Sequence, residues 1–99
     1  MSMAELVDAG APELPAGWFY RVRESLHLGF MVEIREQRRF GSRLVAETFV
    51  HEERFDDMTA AVVSACRYAH ARVQARALMR AKAAELKAFA GDHDPKGGR

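Results

Sequence analysis

Three arginines spaced by four, Arg72, Arg76 and Arg80, share one face of any helix that carries them. Guanidinium groups in such a row neutralise successive phosphates and release counterions, which makes this ladder the chain's leading candidate for binding nucleic acid. Arg67, Lys82 and Lys87 add base nearby, and Glu85 is the only acid between residues 58 and 90. Contacts of this kind position a nucleic acid without reading its sequence. The competing use of the same residues is a solvated face that keeps a long helix soluble, or a surface docked on the acidic segment 51–57. A second basic group, Arg38, Arg39 and Arg43, surrounds Phe40 in Gln37-Arg38-Arg39-Phe40-Gly41-Ser42-Arg43. An exposed aromatic between guanidiniums stacks on bases; the alternative is a ring folded back onto its own sheet.

Other reactive pairs lack a partner. Cys66 and His70 stand one helical turn apart, yet no further ligand follows at a metal-binding spacing, so a buried thiol with a histidine at its rim is expected. His51-Glu52-Glu53-Arg54-Phe55 begins like the zinc-protease helix motif but has Phe55 where the second histidine must stand. Asp92-His93-Asp94 sits in a segment too polar and glycine-rich to hold a metal geometry. Gly29 and Gly41 are isolated and build no phosphate-cradling loop. No catalytic residue, metal-ligand set or cofactor motif emerges, and a non-enzymatic protein is expected.

The ladder needs a long helix, and residues 57–90 supply one. The stretch is rich in Ala, Arg, Leu, Met and Lys and has no internal Gly or Pro. Asp56 or Asp57 suits its first turn and Gly91 its end. Met58, Val62, Ala65, Cys66, Ala69 and Val73 recur at helical spacing as a sheet-covering stripe. Before it, period-two alternation marks three strands at about 17–24, 28–37 and 42–50. Trp18, Tyr20 and Val22 share one face; so do Leu28, Phe30, Val32 and Ile34; so do Leu44, Ala46, Thr48 and Val50. The connections are short, which favours antiparallel neighbours. The expected fold class is α+β: a three-stranded antiparallel β-meander packed against one long C-terminal α-helix. Its expected core is Tyr20, Val22, Phe30, Val32, Ile34, Leu44, Ala46, Met58, Val62, Ala65, Cys66, Ala69 and Val73.

Ninety-nine residues leave room for one such domain. Residues 1–16, with Pro12 and Pro15, are expected to form a flexible arm, with room for one or two marginal helical turns over residues 3–9, and residues 91–99 a disordered tail. No apolar run is long enough to span a membrane. The N-terminal segment carries acid where a signal peptide carries base, and the single Cys66 points to a reducing, cytoplasmic setting.

The order β-β-β-α from Trp18 to Val73, with base on the last helix, resembles the second part of a double-stranded RNA-binding domain. That family touches its duplex through a first helix, the first hairpin loop and a lysine-rich start of the last helix. Here Pro12 and Pro15 interrupt the first helix, only His27 marks the loop, and the last helix begins Asp56-Asp57-Met58-Thr59. The resemblance therefore implies a topology and carries over no contact residue.

Lengths add a further expectation. A 34-residue helix is about 51 Å long, whereas an eight-residue strand spans about 26 Å. Either the helix breaks, or its second half outreaches the sheet and presents Leu78, Met79, Leu86 and Phe89 as a protein-interaction surface, the competing arrangement being an arm or tail folded back over it. Two functions follow: a small cytoplasmic nucleic-acid-binding accessory protein using Arg72, Arg76, Arg80, Arg38, Arg39 and Arg43, or an interaction and dimerisation module whose partner is a second copy or another protein.

Overall fold

The structure, a computed structural model, describes residues 2–27 and 29–93, the side chains of Asp92 and His93 excepted. Leu28 and residues 94–99 of the expected 91–99 tail lie outside the described residues. The elements are α1 (Met3–Asp8), β1 (Trp18–Ser25), β2 (Gly29–Gln37), β3 (Ser42–Phe49), a 3₁₀ turn at Glu52–Arg54, and α2 (Met58–His93). The strands form one antiparallel sheet in the order β1-β2-β3, and α2 packs across β2 and β3. The expected α+β architecture is what the chain adopts.

Period-two alternation explains the core. Tyr20 faces Ile34 and Val22 faces Val32 across the first pair; Ile34 faces Ala46 and Val32 faces Thr48 across the second. Tyr20, Val32, Ile34, Ala46 and Val50 are buried beneath Ala61, Val62, Ala65, Cys66 and Ala69. The helix side of this contact is made almost entirely of small residues, which lets the backbone of α2 approach the sheet closely. Asp57 caps α2, its Oδ1 accepting from the Ala60 amide at 2.7 Å. Gly41 closes the β2–β3 hairpin at φ +73°, a left-handed conformation in which a side chain is strained.

Five expectations need correction. Leu44 is exposed, because a β-bulge between Ile34 and Arg35 on one side and Leu44 and Ala46 on the other inserts Val45; Val45 packs against the core and Leu44 turns to the opposite face. Val22 and Met58 are also exposed, the first on an edge strand that α2 does not cover, the second in the opening turn of the helix. Residues 1–16 are not a detached arm. A Ser2–Glu5 capping box starts α1, Leu6 is 1% exposed and Ala11 is buried with it. The Tyr20 hydroxyl then ties the segment down by donating to the Pro12 carbonyl at 2.7 Å. Finally, α2 does not stop at Ala90: Gly91 stays out of the positive-φ region and the helix runs to His93.

The sheet face away from α2 is held by charge. Glu33 is only 5% exposed there, gripped by Arg23 Nε at 2.7 Å and Arg35 Nη1 at 3.0 Å. Burial works against ionisation of its carboxyl, but the hydrogen bonds and charges of the two arginines outweigh it and hold its pKa below the usual range.

Candidate functional site

The two edges of the sheet are finished differently. In an antiparallel sheet only every second residue of an edge strand turns its amide and carbonyl outward. On β1 these include Trp18 and Tyr20, and the N-terminal segment answers both. The Trp18 amide donates to the Pro15 carbonyl at 3.0 Å, and the Tyr20 amide reaches Met3 Sδ at 3.5 Å. On β3 the outward residues are Val45, Glu47 and Phe49. Arg76 Nη1 donates to the Val45 carbonyl at 2.9 Å and Arg72 Nη1 to the Glu47 carbonyl at 3.1 Å. Four helix residues rise about 6 Å and two strand residues about 6.6 Å, so ladder and strand share a pitch.

Two rungs of the arginine ladder therefore guard a sheet edge. The third, Arg80, is exposed and makes no hydrogen bond or ion pair among the described residues. The same pitch carries it to the level of Ser42 and Arg43, toward the hairpin. There Arg38 and Arg43 both pair with Glu36, at 3.3 and 2.8 Å. Arg39 lies 5.6 Å over the ring of Phe40, which is 87% exposed and does not fold back onto the sheet. The two basic groups thus point to one end of the sheet, with most of their arginines already bonded within the chain.

Between β3 and α2 lies a groove of about 800 Å³ that sequence reasoning did not find. Phe49, Phe55 and Tyr68 give it aromatic walls, Ala61 and Ala65 line the helix side, and Arg54, Arg72 and Arg76 stand on its rim. Tyr68 was the available signal: a lone aromatic in an alanine- and arginine-rich helix, off the sheet-facing stripe and half exposed.

Cys66 lies at the centre of the core, and burial pushes its thiol up to about 12, which leaves it little thiolate at neutral pH. Among the described residues no cluster of three or more His, Cys, Asp or Glu is placed to hold a metal, and no helix is long and apolar enough to cross a membrane.

The length mismatch is resolved by projection. Val73 is the last residue of α2 packed on the core, and residues 74–91 are exposed throughout. The chain extends 59 Å along its long axis, with a radius of gyration of 18.3 Å where a compact chain of this length has about 13 Å. At about 100° per residue, the buried stripe of the first half and the stripe of Leu78, Met79, Leu86 and Phe89 are centred about 130° apart. The apolar face rotates along the helix. On the projecting half the continuation of the sheet-facing side is basic, with Arg80 and Lys87, while the apolar residues look outward. Leu78 is 61% exposed and Met79 and Leu86 are each 69% exposed.

No protein-family model, curated protein or solved structure matches this chain.

Proposed function

We propose that the protein is a non-enzymatic interaction module that self-associates through the outward apolar stripe of the projecting half of α2. One observation carries this reading: 18 consecutive helix residues, 74–91, are exposed, with Arg76 reaching back to the Val45 carbonyl, yet the stretch holds Leu78, Met79 and Leu86 as large apolar side chains each more than half exposed. An exposed basic face is its own reward in solubility and needs no partner; an exposed apolar line does. Hiding one such side chain contributes about 1.5–3 kcal/mol, and a helical stretch of this length without packing is marginal in water. We place its work in the cytoplasm, a reading supported by the unpaired Cys66.

Light scattering across a concentration series tests the proposal. The expected mass is about twice the 11.1 kDa of one chain, falling to one chain when Leu78→Glu and Leu86→Glu are combined, with the circular dichroism of the sheet domain kept. A mass that stays at one chain at millimolar concentration ends the reading.

Nucleic-acid binding is the second reading, and the observations favouring it are Arg80 and Lys87, which make no hydrogen bond or ion pair among the described residues, and the exposed Arg39–Phe40 hairpin tip. The nucleic-acid reading calls for affinity that drops steeply between about 50 and 200 mM salt. No binding to mixed duplex or single strands at low salt rejects it.

A further inference from the structure

The groove beside β3 and the stripe beyond the sheet are one surface. Tyr68 belongs to the wall of the groove, and stepping along α2 by three and four from Tyr68 gives Ala71, Ala75, Leu78, Lys82, Leu86 and Phe89 on a single helix face. This line starts on the half of α2 that covers the sheet and ends near the tip of the half that does not. Its half before Leu78 is small, with Ala71 and Ala75, and its half after Leu78 is large, with Lys82, Leu86 and Phe89, so reversal about Leu78 sets large residues against small ones.

Building on the self-association proposed above, we infer that two copies lie antiparallel along α2 about a two-fold axis near Leu78, so that the end of each helix is received at the mouth of the other copy's β3–α2 groove. The axis at Leu78 sets Leu86 beside Ala71 and Tyr68 of the other copy, large against small, as interdigitating layers require. It sets Lys82 beside Gln74 and Ala75, where its stem lies along the seam and its ammonium reaches water. The overlap runs over about 31 residues, or some 46 Å. A reversed pairing centred on Lys82 brings two ammonium groups together and shortens the seam to about 34 Å. A parallel pairing also stacks Lys82 on Lys82 and crowds both sheets at one end.

Charge favours the same arrangement. The carbonyl end of a helix carries partial negative charge, and in this pairing it arrives at a groove rimmed by Arg54, Arg72 and Arg76. Area does too. The accessible surface is 7135 Å², whereas a compact chain of 11.1 kDa exposes about 5,700 Å². The excess, roughly 1,400 Å², is of the order that a stable interface hides on each partner, about 800 Å².

Single added cysteines and a short bismaleimide test the arrangement, in a background where buried Cys66 does not react. Leu78→Cys should cross-link to itself. Ala71→Cys should not, its two copies lying about 21 Å apart, but should cross-link to Leu86→Cys when the two chains are mixed. Tyr68→Glu, on the half of the helix that covers the sheet, should weaken the dimer at least tenfold. Self-linking of Ala71→Cys, failure of the mixed pair, or an unchanged dimer in Tyr68→Glu overturns the antiparallel seating while leaving the dimer mass in place. A monomeric mass for the unmodified chain overturns the self-association itself, and this arrangement with it.

Discussion

The two halves of α2 share a high alanine and arginine content and stand in opposite situations. Residues 58–73 lay Ala61, Val62, Ala65, Cys66 and Ala69 on the sheet and are held by burial. Residues 74–91 are just as rich in alanine and arginine but are exposed, their tie to the sheet being the Arg76–Val45 hydrogen bond. What separates the halves is the angular position of their large side chains. In the first half the apolar stripe and the sheet coincide; in the second the stripe has turned by about 130° and looks away. A helix can be continuous in its hydrogen bonds and discontinuous in what stabilises it.

The contrast breaks most sharply by placing the same charge in each half. Ala69→Asp buries a carboxylate with no partner and should lower stability by about 3–5 kcal/mol, enough to unfold much of the protein. Ala83→Asp, fourteen residues on, should change the denaturation midpoint of the dilute protein by less than about 0.5 kcal/mol. Equal losses would mean that the second half is buried after all. A smaller effect sharpens what supports the first half. Leu6, from the N-terminal segment, packs into the same core as Val62 and Val63, so Leu6→Ala should cost about 2–4 kcal/mol in urea unfolding. A loss near zero would return that segment to the status of a loose arm.

The smallest effect concerns the face that no helix covers. The folded-state pKa of Glu33 is depressed, so its stabilising contribution is present above the unfolded carboxyl value near 4.3 and is lost as pH falls through the folded value. Glu33→Gln should therefore lower stability at neutral pH by about 1–2 kcal/mol and flatten the loss seen as pH falls below the unfolded carboxyl value. A mutant with an unchanged acid limb would show that this network does not hold the open face.

Much of the fold was legible in residue order because it rests on local periodicity. Alternation in Phe30–Ile34 and helical spacing in Val62, Cys66 and Ala69 mark buried faces whatever else surrounds them. The misses share a cause. Leu44 and Val45 read as regular alternation until one inserted residue reverses them, and a bulge leaves no composition signal here. Gly91 reads as a stop, but glycine only weakens a helix by about 1 kcal/mol and does not end it. Arg72 and Arg76 read as free cations because their partners, the carbonyls of Glu47 and Val45, carry no side-chain identity that a sequence could display. The groove escaped because Phe49, Phe55 and Tyr68 lie on three separate elements.

Residue order alone determined the elements, the face each strand and the first half of α2 would bury, and the excess length of the helix, since all of these follow from spacing of two or about 3.6 along one chain. Only the tertiary structure decided which arginines are already engaged, that the N-terminal segment closes one sheet edge while the other is left beside an open groove, and that the outward stripe of α2 runs without interruption into that groove. Those outcomes depend on which surfaces meet across long sequence separations, and short-range patterns do not encode such meetings.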